Sequence, residues 1–143
     1  MTFKKITDDF SVAPQISVAE VAIAAEQGFK TVICNRPIEE PGQPDHEEMT
    51  AAVIENGMDH AYQPVVSGNV TFSDVAEFSE FLKTAEKPIL AYCRSGTRCS
   101  TLWALAEAPH RDINEIIELC AQAGYDYSGM RGTLESLKEN SSS

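Results

Sequence analysis

The sequence predicts a single-domain α/β sandwich, with a mainly parallel central sheet flanked by helices. Three observations lead there. The runs Thr31-Val32-Ile33-Cys34 and Pro88-Ile89-Leu90-Ala91-Tyr92 are continuously apolar and β-rich, as strands buried on both faces are. Helical stretches that open on capping residues alternate with these strands. The 143 residues show no internal repeat and no dividing linker, which suits one core over 1–139, followed by a flexible tail at 140–143.

In chain order, Phe10–Ala13 is a short first strand. Ser17-x-x-Glu20 forms a capping box for a helix over 18–27, with Gly28 just beyond its end. The strand Thr31–Cys34 follows. Three prolines and a glycine make 35–44 a loop. Asp45-x-x-Glu48 caps a second helix that ends before Gly57. Residues 60–66 read as a strand broken by Pro64, and 67–69 as a turn. A helix over 73–85 carries Val75, Phe78, Phe81 and Leu82 on one face. Strand 88–92 leads into a loop at Cys93 and an apolar helical run at 101–106. Asp112-x-x-Glu115 starts a helix ending near Gly124, and the last helix covers 133–139.

The formal net charge is −11. That argues against nucleic acid or an anionic membrane as partner, because both require a basic face. No apolar run approaches membrane-spanning length, and the N-terminus lacks a secretion-signal pattern, so a cytoplasmic location is expected. The cysteines, Cys34, Cys93, Cys99 and Cys120, form no CxxC pair. No Cys/His cluster has zinc spacing, so neither metal nor cofactor is expected.

The stretch Cys93-Arg94-Ser95-Gly96-Thr97-Arg98 carries the chemistry. It follows a buried strand and enters a helix. Ligands of open α/β sheets gather at such carboxyl ends. A helix start offers unpaired N–H groups and a positive dipole end, and a tight loop adds an anion nest. Gly96 lets the backbone turn inward, and Arg98 supplies a planar fork of donors. These features depress the pKa of Cys93 and favour its nucleophilic thiolate.

Two enzyme groups use this design. Protein tyrosine and dual-specificity phosphatases place five residues between Cys and Arg; single-domain rhodaneses place four. Cys93 and Arg98 are separated by four, and the phosphatase spacing would require arginine where Cys99 stands. The loop therefore resembles that of a rhodanese. A tighter loop also suits a sulfane sulfur better than a tetrahedral phosphate.

The segments Gly28-Phe29-Lys30-Thr31-Val32-Ile33-Cys34-Asn35-Arg36-Pro37, Glu40-Pro41-Gly42-Gln43-Pro44, the Cys93 loop and Leu102-Trp103-Ala104-Leu105-Ala106 resemble the beta-lactamase-hydrolase-like, phosphatase-like family of small bacterial domains. The resemblance runs from about Phe10 to Leu137. It implies a dual-specificity-phosphatase-like fold with a rhodanese-like loop. Some members are fused to a persulfide dioxygenase and are described as sulfurtransferases in sulfide detoxification. The resemblance thus implies sulfur transfer from thiosulfate or a persulfide, through a Cys93 persulfide, to a thiol such as glutathione. A separate persulfide dioxygenase is the implied partner. The alternative is a phosphatase working through a Cys93 cysteinyl-phosphate. Against it, phosphatases of that fold carry a general-acid Asp where this chain has Ser67-Gly68-Asn69, and a His where it has Tyr92; no carboxylic acid follows until Asp74. Such a phosphatase should favour aryl phosphates.

The remaining candidates have plainer readings beside the functional ones. Arg36 either binds a substrate carboxylate or sulfonate at the rim or pairs with Glu39 or Glu40. Arg94 either reinforces the anion loop or makes an outward salt bridge, the latter favoured. Cys99 is expected to pack in the core rather than resolve an oxidised Cys93. Cys34, Cys120, Leu102 and Trp103 read as core. His46, His60 and His110 are scattered and suggest no Cys–His dyad.

Overall fold

A computed structural model describes residues 3–141 of the chain. Among them are five strands, β1 (Lys4–Thr7), β2 (Phe10–Ala13), β3 (Thr31–Cys34), β4 (Asp59–Tyr62) and β5 (Ile89–Tyr92). The helices are α1 (Val18–Glu26), α2 (His46–Glu55), α3 (Phe72–Thr84), α4 (Thr97–Glu107), α5 (Ile113–Gln122) and α6 (Arg131–Ser141), with a 3-10 turn at Ser128–Met130. They form one sheet in the order β1-β2-β5-β3-β4. All neighbours are parallel except β1, which pairs antiparallel with β2.

The register positions the site. Tyr92 of β5 is paired with Ala13 of β2 and Cys34 of β3, and Cys34 in turn with Tyr62 of β4. Four parallel strands therefore end at one edge, and the chain leaves the central one at residue 93. Alternation along β5 sends Ile89 and Ala91 to one face and Leu90 and Tyr92 to the other. The first face packs on Phe78, Leu102, Trp103, Ile116 and Leu134 from α3 to α6. The second packs on Val21 of α1 and on Met49 and Val53 of α2.

The predicted caps form. Ser17 and Glu20 complete a capping box at α1, and Asp45 and Asp112 accept from the N3 amides of α2 and α5. Four expectations need correction. The strand expected over 60–66 stops at Tyr62, and Pro64, with no N–H to donate, lies beyond it. The helix expected from 101 starts at Thr97, so the arginine of the loop is already helical. β1 was not expected, because its sequence Lys-Lys-Ile-Thr is mostly polar and only Ile6 is buried. The tail expected from 140 is instead helical through Ser141, while residues 142 and 143 lie outside the described ones.

Candidate active site

The loop is pinned to the strands on both sides. Cys93 N–H donates to Ala13 O, Gln15 N–H to Arg94 O, and Asn35 N–H to Tyr92 O. Gly96, at φ +87°, turns the chain into α4 as its N-cap. Behind the turn, Tyr125 Oη donates to Ser95 O at 3.0 Å, so tightly that a side chain at residue 96 would overlap the Tyr125 hydroxyl. Tyr127 reinforces the start of α4 through Thr97 O, Ser100 Oγ and Thr101 Oγ1.

These contacts aim the amides at sulfur. Gly96 N–H donates to Cys93 Sγ at 3.1 Å. The Cys93 pKa is pulled down from 9.0 to about 5. The largest cause is a hydrogen bond from the Cys99 thiol; burial opposes it, and the amides of Cys99, Ser95 and Arg98 add to it. Cys99 is itself buried, and its own pKa is pushed well up, so it keeps the proton it donates. The core position expected for Cys99 is correct but incomplete, because the same side chain supports the Cys93 thiolate.

Cys93 has 0% exposed surface. The sulfur lies under the loop, and its neighbours Arg94, Ser95, Thr97 and Arg98 line the open clefts above it. One cleft, of about 470 Å³, extends from Arg98 and Arg94 past Gln15, Arg36, Glu40 and Gly42. The other, of about 360 Å³, extends past Ser95 and Thr97 to Val70 and Thr101. Neither is lined by a histidine.

Arg98 is 7% exposed. Its Nη1 donates to Glu40 Oε2 at 2.8 Å and to Val65 O at 2.9 Å, and its Nη2 donates to Glu40 Oε1 at 3.0 Å. A guanidinium has five N–H groups. Three are used, which leaves Nε–H and the second Nη2–H on one edge as a fork for two oxygens. Glu40 also accepts from Arg36 Nε at 3.1 Å. Arg36, 4% exposed, also donates through Nη1 to Gln15 Oε1 and through Nη2 to Pro41 O. Arg36 is thus a brace for Glu40 as well as part of the rim, which favours its plainer reading. The two guanidiniums hold the Glu40 carboxyl below its ordinary range. The favoured reading of Arg94 is corrected: it is exposed on both clefts and forms no ion pair among the described residues.

Sequence reasoning missed Tyr125 and Tyr127, which lie some thirty residues beyond the loop and carry no local motif. Glu40 had appeared only as a possible mate for Arg36. The Asp74 carboxylate is not turned to the site; it accepts from Thr71 N–H in the capping box of α3.

The model of the beta-lactamase hydrolase-like protein, phosphatase-like domain matches residues 2–110. The chain belongs to this family. A beta-lactamase hydrolase-like protein of Agrobacterium fabrum is 37% identical over 105 residues, covering 73% of this chain and 24% of that protein. The chain thus spans about a quarter of the length of the curated relatives it matches. A crystal structure of a putative phosphatase from Neisseria meningitidis is 35% identical, with a TM-score of 0.83 over 96% of this chain and 99% of that one. The core catalytic domain of a PP-IP phosphatase from S. cerevisiae, at 14% identity, shares the fold, with a TM-score of 0.69 over 99% of this chain and 91% of that one. The fold is the dual-specificity-phosphatase-like one expected, and the names of the family and of the Neisseria relative agree with the phosphatase alternative rather than with the sulfurtransferase reading.

Proposed function

We propose that the chain is a cysteine-dependent phosphatase that forms a phosphoryl intermediate on Cys93 Sγ. The observation that carries the reading is the Cys93 sulfur, which accepts from the Gly96 amide at 3.1 Å at the start of the helix that carries Arg98, whose guanidinium keeps two donors unspent. The thiolate attacks phosphorus, and the ester oxygen leaves with its electron pair. Arg98 Nε–H, Nη2–H and the loop amides hold the equatorial oxygens, where charge builds up. Water then attacks phosphorus, releasing inorganic phosphate and the thiolate.

The site holds no proton donor for the leaving group. Residues 67–69 have no acid, Asp74 caps a helix, and Glu40 is kept ionised by Arg36 and Arg98. Leaving groups that depart unprotonated are therefore favoured, so the substrates are aryl rather than alkyl phosphate monoesters.

One observation favours the sulfurtransferase reading: the four-residue spacing of Cys93 and Arg98. Under it, Cys93 takes sulfane sulfur from thiosulfate, releases sulfite and passes the sulfur to a thiol such as glutathione. Assaying an aryl phosphate beside thiosulfate plus thiol separates the two. Phosphate release that Cys93→Ser abolishes, with no thiosulfate turnover, is the expected result. Thiosulfate turnover without phosphate release would reverse the assignment.

A further inference from the structure

Beyond the two arginine-lined clefts lies an apolar groove of about 290 Å³, formed by Val70, Phe72, Val75, Leu105 and Leu137. It is continuous with the site at two points. Val70 lines both this groove and the cleft that holds Arg98. Thr97, Thr101 and Leu105 occur at four-residue spacing on α4; the first two line the cleft, and the third lines the groove. One helical face therefore forms a floor from the anion loop outward, and from Thr97 to Leu105 it rises about 12 Å. α3 contributes Phe72 and Val75 as one wall, and α6 contributes Leu137 as the other. Phe72 is 79% exposed at the start of α3 and packs into no core, although its burial would stabilise the fold.

We propose that this groove holds the apolar body of the substrate, so that the substrate class is an aryl phosphate monoester bearing a hydrophobic extension of several carbons. This deepens the phosphatase reading and rests on it. The phosphoryl group sits at Arg98, the ring crosses Thr101 and Val70, and the tail lies between Phe72 and Leu137. The strongly acidic chain supplies cations at the phosphoryl end through Arg94 and Arg98, and apolar contact at the other end. That division matches a ligand with one charged terminus and one greasy one.

The test uses phenylphosphonate and its para-ethyl, para-butyl and para-hexyl derivatives, which cannot be hydrolysed, with binding measured by calorimetry. Each buried methylene should tighten binding about two- to fourfold until the groove is filled. Phe72→Ser should flatten the series without changing the affinity of unsubstituted phenylphosphonate. A flat series in the unaltered protein, or a slope that survives Phe72→Ser, overturns the inference. So does a slope that is lost on dilution to monomer, because the tail would then be bound by an assembly of two copies rather than by this groove. Turnover of phenyl phosphate is measured in parallel. Turnover with a flat series leaves the phosphatase standing and removes the groove; a slope without turnover keeps the groove as a binding site and removes the phosphatase.

Discussion

Arg98→Lys keeps the positive charge and discards the fork, which makes it a sharp probe of the site. The native guanidinium divides five donors, three to Glu40 and Val65 O and two to the open edge. A lysine ammonium has three donors, and those same acceptors consume all of them. None is left for the phosphoryl oxygens, although the charge remains. Losing a single pre-positioned oxyanion donor costs about 10²–10³ in kcat, so losing both should cost at least about 10². The effect on folding is smaller, about 1–2 kcal/mol, because the ion pair with Glu40 persists in a weaker form. Steady-state kinetics on an aryl phosphate, together with a thermal melt, read the two effects separately. A variant within about fivefold of the unaltered kcat would show that charge alone suffices and that the open edge of Arg98 does no catalytic work.

Three further outcomes follow from the contacts around the loop. Cys99→Ala removes the largest contribution to the depressed Cys93 pKa, so the pH midpoint for Cys93 alkylation should rise, and Cys99→Ser should restore it; an unmoved midpoint in the alanine variant contradicts the assignment. Gly96→Ala forces a left-handed alanine against Tyr125, whose Cζ would lie 3.2 Å from the new methyl, and should destabilise the fold by about 2–3 kcal/mol in chemical denaturation; a loss below about 0.5 kcal/mol would show that the turn tolerates a Cβ. Glu40→Gln should lower stability by about 1–2 kcal/mol, less than a fully buried pair would lose, since the Glu40 side chain is 28% exposed. In the same variant, the dependence of rate on leaving-group acidity should be unchanged, whereas a steeper dependence would reveal Glu40 as a proton donor after all.

Much of this was legible in the sequence, and the physical reasons are visible at particular residues. Thr31–Cys34 declared itself because four β-rich apolar residues in a row have nowhere to go but the middle of a parallel sheet. The loop was legible because its chemistry is local: strand, cysteine, glycine, arginine and helix start fall within ten residues. What stayed hidden depends on distance along the chain. Tyr125 holds Ser95 from thirty residues away, and Glu40 reaches Arg98 across fifty-eight. The start of α4 was misplaced because Arg98 and Ser100 are polar and precede the apolar run at 101–106 that marks the helix, yet both are buried in it. The full burial of Cys93, and the contacts that Tyr125 and Glu40 make with the loop, are likewise not revealed by the sequence alone. Spacing favoured a rhodanese, whereas the family model and the 35%-identical relative favour a phosphatase.

The decisive measurement is the rate of Cys93 alkylation by iodoacetamide as a function of pH, with the modified residue identified by peptide mass spectrometry. Only the thiolate reacts, so the rate follows the ionised fraction. The arrangement of amides and the Cys99 thiol around the sulfur requires a plateau at neutral pH that falls away as the pH drops through about 5. A rate still climbing between pH 7 and the ordinary thiol value of 9.0 would mean that residue 93 is protonated under working conditions, and neither phosphoryl nor sulfur transfer through it would stand.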